Sequence, residues 1–323
     1  MNLVLRVIAA ILAAALPATA AHAQAYPSRP VKIVVPAVPG GVNDALGRIM
    51  AERLQKSMGQ PFVLENRGGA GGLIGADAVA KAAPDGHTLL LSFGGPLAVG
   101  LALYKSVPFD VMRDFAPISM IADVTMIMVS YPGFKSQSVN ELIAYANANP
   151  GKVNAAINVI GSMGHMLTEQ FRLVTKTNIT MVSYKGTGPA IADLMAGHVD
   201  IDIDALPPVI GQIKAGRLRP LAVASAHRSE LLPEIPTFQE LGVAGLDAPA
   251  WFALLAPAGT PKEIVERLNA ETTKILHSAE TKELLAKQGA SARPATAQET
   301  GAFIRQEIER WARVVKESGA KIE

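Results

Sequence analysis

The stretch VKIVVPAVPGGVND, Val31 to Asp44, decides how the rest of the chain reads. Ile33, Val34 and Val35 are consecutive and β-branched, which suits a strand covered on both faces, as in a parallel sheet. Pro36 and Pro39 end the ladder, because proline has no N–H to donate. Gly40 and Gly41 then allow a tight turn and close backbone approach. Asn43 or Asp44 is placed to cap a helix in which Leu46, Ile49, Met50, Arg53 and Leu54 recur at helical spacing. Strand, glycine turn and helix start make a corner at the carboxyl end of a strand, where ligands bind in open α/β sheets. Free N–H groups and the positive end of the helix dipole favour an anion there. A glycine pair alone is also compatible with a plain connecting turn, and recurrence of the corner separates the two.

It recurs. Phe62 to Glu65 is a strand, followed by Asn66, Arg67 and four glycines in the next five residues, Gly68 to Gly72. Such a run fits neither a strand nor a helix interior. Thr88 to Leu91 is a buried strand closed by Gly94-Gly95-Pro96. Further on, Val153 to Ile157 leads into Gly161-Ser162-Met163-Gly164-His165, and Thr180 to Tyr184 into Lys185-Gly186-Thr187-Gly188-Pro189. These units predict an α/β protein with mostly parallel sheets. Ser138, Thr260 and Thr296, each three residues before a Glu, read as capping boxes. Trp251 to Ala256 reads as a strand, and the tail beyond it as helices, among them Ile264 to Ile275 and Phe303 to Val315.

With 323 residues, 49% of them hydrophobic and a net charge of +2, the chain can bury two domain cores and has no basic run to track nucleic acid. Residues 1–25 read as a secretory signal peptide. Arg6 precedes the apolar run Val7 to Leu16, and small residues frame cleavage after Ala23 or Ala25. Cysteine is absent, which removes disulfides, thiolate nucleophiles and thiolate metal sites. The expected compartment is the bacterial periplasm.

Val199 to Asp204 alternates strictly, so Asp200, Asp202 and Asp204 share one strand face. Such a face is ordinarily solvated or paired with Lys and Arg; a hard cation is the less favoured reading. Ser162 and His165 lack a third orienting partner at fixed spacing, so His165 reads as a pocket histidine rather than a catalytic base. Lys185 reads equally as a charge for a ligand and as a solvated strand-end lysine. No G-x-S-x-G elbow and no metal-spaced histidine pair appears, which counts against a periplasmic hydrolase. No cofactor is called for.

With these motifs in order, the chain resembles the extracytoplasmic solute receptors of the tripartite tricarboxylate transporters, also called Bug receptors. The resemblance covers essentially the whole chain beyond the signal peptide. It is carried by Tyr26 to Pro30, Val35-Pro36 with Pro39-Gly40-Gly41, and Asn66-Arg67 with Gly69 to Gly72. Pro84-Asp85-Gly86, Tyr184-Lys185-Gly186 with Gly188-Pro189-Ala190, Lys214-Ala215-Gly216 and Leu255 to Pro261 continue it. It implies a two-lobed periplasmic-binding-protein-like (type II) fold that closes on a small carboxylated solute. One lobe would comprise residues 26–124 and 247–323, the other 125–246. It implies no enzyme activity, a monomer, and delivery to a tripartite-type membrane permease or a sensor. The implied ligand-binding residues are Pro39, Gly40, Gly41, Val42, Asn43 and Asp44; Gly161, Ser162 and His165; and Lys185, Gly186, Thr187 and Gly188, with Asp204 beneath. Where the family usually reads Gly-Gly-Gly-Thr-Asp, this chain has Gly40-Gly41-Val42-Asn43-Asp44. Asp202 also stands where an apolar residue is expected, and the added carboxylate implies a taste for ligands carrying a donor group.

Overall fold

The computed structural model describes residues 26–320; the signal-peptide reading lies outside them. β1 (Val31–Val35) is buried except at Lys32, and it pairs in parallel with β2 (Phe62–Asn66) and β3 (Thr88–Phe93). β4 (Phe115–Val124), β10 (Ala250–Pro257) and β11 (Ala290–Ala292) complete a six-stranded sheet ordered β11-β4-β10-β3-β1-β2. A five-stranded sheet is ordered β7-β6-β8-β5-β9, from β5 (Met126–Ser130), β6 (Val153–Ile157), β7 (Ile179–Ser183), β8 (Ile201–Ala205) and β9 (Arg219–Val223). The protein is thus α/β and two-lobed.

Strand direction follows from how the chain crosses between the sheets. β1 to β4 run one way, and β6 to β9 run one way in the other sheet; β10, β11 and β5 run against them. β4 passes through Thr125 straight into β5. A strand entering from the other sheet starts at the end where its neighbours finish, so β5 is reversed. β10 enters from the second sheet after β9 and is reversed for the same reason. Mostly parallel sheets with antiparallel crossing strands are the outcome.

Helices cover both sheets. Lys262–His277 packs on β4 and on the Val42–Met58 helix, and Ala279–Lys287 on β11. The long last helix, Ala297–Ser318, packs on β4 and on the helical turns of Gly95–Leu103, and also touches Met163–Thr175 beyond the second sheet. It therefore spans the junction rather than resting on the first sheet alone. Thr296 forms its capping box with Glu299. The box at Thr260 does not form: Pro261 is the N-cap, and the Thr260 hydroxyl donates to the Pro257 carbonyl instead, at 2.8 Å. Among the described residues no helix is long and apolar enough to cross a membrane.

The junction is tied by a buried carboxylate. Glu307 Oε2 accepts the indole N–H of Trp251 at 2.7 Å and that of Trp311 at 2.9 Å. Both indoles are buried, so neither N–H has water as an alternative partner. Glu307→Ala leaves two buried donors without an acceptor, at about 1–3 kcal/mol each. Urea unfolding should show that loss, while Glu307→Gln, which keeps a carbonyl acceptor, should lose less.

Candidate functional site

The first corner is built by the backbone. The helix after β1 starts at Val42 with Gly41 as N-cap and no side-chain cap, so the cap lies two residues before Asn43 and three before Asp44, the caps expected from sequence. Asp44 is buried and bonds back onto its own loop: Oδ2 accepts from the Gly40 N–H at 3.2 Å and from Arg48 Nε at 3.0 Å. The Arg48 hydrogen bond is the main reason its carboxyl is held below the usual range. Gly40 has φ of 92°, where L side chains are strained. Pro39, Gly40 and Gly41 are exposed beside the cleft, and Val42 packs toward the core of the first sheet.

The second corner follows β6. Ser162 caps the Met163–Thr175 helix, its Oγ accepting the His165 backbone N–H at 3.2 Å. The His165 ring Nδ1 accepts the Gly161 N–H at 3.1 Å, so the histidine fixes the loop from below. Burial, with the nearby Arg172 charge, pushes its pKa down to about 4, and the ring is neutral at pH 7. Neither ring nitrogen bonds the Ser162 hydroxyl, so no serine–histidine nucleophile is assembled. Gly164 is a packing requirement: a Cβ there would lie 2.1 Å from the Ile203 carbonyl oxygen of β8.

These corners face each other across a cleft of about 330 Å³. Ala37, Val38, Asn43, the glycine loop of Gly68 to Gly72, Phe93, Gly95 and Tyr104 line it from the first sheet's side; Val159, Ile160, Gly161 and Ser162 line it from the second. Helices starting at Val42, Leu73 and Met163 all open onto it through Asn43, Gly72 and Ser162. No lysine or arginine is among the lining residues. The arrangement suits an anion held by backbone N–H groups and helix dipoles. One helix end contributes only about 0.3–1 kcal/mol, or ~2 when partly buried. Several must act together.

The third loop stands behind the second. The Gly186 N–H donates to the Asn158 carbonyl at 2.7 Å, and the Thr187 hydroxyl accepts from Asn158 Nδ2 at 3.2 Å. Lys185 and Gly188 are exposed, and none of Lys185, Gly186, Thr187 and Gly188 lines the cleft. The loop supports Asn158, whose next residue is Val159. Asn158, Phe93, Tyr104, Val159 and Ile160 were not among the residues expected from sequence. Gly94-Gly95-Pro96 was the one signal pointing to Phe93, whereas the apolar residues carried none.

The aspartate face departs from expectation. Asp202 and Asp204 are buried rather than solvated, and no cation pairs with them. Asp204 Oδ1 accepts the Ala205 N–H at 2.7 Å, while Oδ2 and both oxygens of Asp202 lack partners. Burial pushes Asp204 up to about 6, and burial together with Asp204 drives Asp202 upward. Neither lines the cleft, so the inferred taste for a donor group loses its support. Among the described residues no group of three acidic or histidine side chains is arranged to hold a metal. In the unfolded chain Asp204 ionises near its ordinary value, so its own contribution to stability falls as pH rises from about 4 to about 6. Asp204→Asn should therefore gain on the wild type as pH rises through that window, measured by urea unfolding at stepped pH.

Comparison with known proteins agrees with this geometry. Residues 46–320 match the model of the tripartite tricarboxylate transporter family receptor. Protein BugT of Bordetella pertussis is 46% identical over 323 residues, covering 100% of this chain and 99% of that protein. The solved structure of R. palustris Rpa4515 with adipate has 38% identity and a TM-score of 0.82, covering 92% of this chain and 100% of that one. MatC from Rhodopseudomonas palustris with bound malate has 30% identity and a TM-score of 0.77, covering 90% and 100%. The chain belongs to the tripartite tricarboxylate transporter receptor family, the family of the Bug solute-binding proteins.

Proposed function

We propose that the protein is a periplasmic receptor that closes on a small carboxylated solute and hands it to a tripartite-type membrane permease, acting as a monomer and doing no chemistry. Residues 1–25 serve as the export signal, cleaved after Ala23 or Ala25. The lobes comprise residues 26–124 with 247–323, and residues 125–246, hinged where β4 passes into β5 and where the chain returns to β10. The observation that carries this reading is the cleft into which three helix starts converge from both sheets without any cationic side chain. Bound adipate and malate in two relatives support a carboxylate as cargo. Micromolar binding needs about 8 kcal/mol. Three helix ends at up to ~2 kcal/mol each fall short of that, so burial of the solute between the two lobes has to add to them, which ties binding to closure.

The ligand contacts proposed are the Gly41 N–H and the side chains of Asn43 and Ser162, with Gly40 and Gly161 shaping their loops because their N–H groups already donate to Asp44 and His165. Pro39, Val42 and Asp44 shape the first loop, and His165 the second. Lys185, Gly186, Thr187, Gly188 and Asp204 brace the second loop from behind. Calorimetry against di- and tricarboxylates, amino acids and aromatic acids tests the cargo class. Small-angle scattering with the best ligand should show a smaller radius of gyration than without it. A tight ligand that leaves the radius unchanged, or a panel in which only cations bind, would overturn the reading.

A further inference from the structure

Three of the large apolar side chains exposed on this protein gather at one place. Val38 is 72% exposed, Val159 49% and Ile160 44%, and all three line the cleft. Val38 comes from the loop after β1 and the other two from the loop after β6, so they face each other across the gap. Phe93 and Tyr104, both half-buried, add aromatic surface on the first side. Exposed apolar groups scattered singly need no explanation, but a set collected on both jaws of a binding cleft marks what the cleft covers.

The polar groups are few and set apart by chemistry. Asn43 and Ser162 sit at helix starts, where a carboxylate is favoured. The Tyr104 hydroxyl is the remaining side-chain donor among the lining residues. A second or third carboxylate on the ligand would lie against valine, isoleucine and phenylalanine with no lysine or arginine to offset it, and burying such a charge is expensive. A methylene chain or an aromatic ring in the same place would instead cover the exposed apolar atoms.

Resting on the receptor reading above, we infer that the cargo is a carboxylate with an uncharged apolar body, gripped between Val38 on one lobe and Val159 and Ile160 on the other. The helix starts take the charged end, and the valine and isoleucine side chains select for the rest of the molecule.

The test uses the mature receptor, unfolded and refolded to remove carried-over ligand, titrated with straight-chain monocarboxylates from butyrate to octanoate, with phenylacetate, and with citrate and malate. Affinity should rise about three- to fourfold per methylene until the cleft is full. Val38→Ser and Ile160→Ser should flatten that rise, with a loss that grows from butyrate to octanoate. Val63→Ser, an exposed valine away from the cleft, should match the wild type. Val38→Ala and Ile160→Ala repeat the comparison if either serine variant folds poorly by circular dichroism. A rise that persists in both variants overturns the assignment to these side chains. Tight citrate or malate binding with no dependence on chain length overturns the apolar-body inference and leaves the receptor reading intact. If no carboxylate binds at all, both fall.

Discussion

The cleft offers an anion backbone N–H groups and helix starts but no cationic side chain, and much of the architecture around it can be read from that constraint. Backbone N–H groups become free donors only at helix starts and in tight loops. The strands of each sheet therefore have to finish toward the gap, so that the helices following them begin there. Glycine is used where the loop backbone must take a left-handed turn, as at Gly40 with φ of 92° and Gly161 with φ of 83°. Asp44 and His165 serve the same end, each accepting a loop N–H and holding that loop in one shape. An acidic side chain beside an anion site looks out of place until its partners are seen: Asp44 is turned inward and its charge is spent on Arg48 and its own loop.

The crossing strands solve the companion problem of joining two such sheets. If both sets of strands finish at the gap, a chain leaving one sheet there must enter the other running backward. β5 and β10 are those reversed strands, and they lie inside their sheets, β5 between β8 and β9 and β10 between β3 and β4. The junction is thus continuous with both cores. Glu307, reaching two indoles from the last helix, anchors one side of it, and the same helix touches Met163–Thr175 on the other.

Elements whose signals are local were legible in the sequence. The β-branched run of β1, the glycine loops and the capping box at Thr296 each depend on a few neighbouring residues, and each forms. The box at Thr260 has the same letters and does not form, because Thr260 lies in the turn leaving β10 and its hydroxyl is taken by Pro257. Strict alternation placed Asp200, Asp202 and Asp204 on one face, but alternation cannot say what covers that face. Nor could sequence separate Val159 and Ile160 from core residues, since exposure depends on the opposing lobe. Asn158 escaped for a related reason: its partners, Gly186 and Thr187, are brought to it by β7 lying beside β6.

The buried aspartates bear on how an anion site tolerates acidic neighbours. Two ionised carboxylates two residues apart on β8, under the loop that supports Asn158, would set their field against any anion in the cleft. Burial resists that by favouring the neutral form, and mutual repulsion makes loss of the second proton harder than loss of the first. The charge of Asp204 accordingly drives Asp202 further upward than burial alone does. The pair's cost falls on stability, since both side chains are buried and neither lines the cleft. A single protonated aspartate can donate as well as accept, which a valine or an ionised carboxylate in the same place cannot. Burial thus moves both carboxyls toward the neutral form beneath the Thr187 helix start, with Asp204 pushing Asp202 further the same way. The helix dipoles at the cleft are left to set its sign.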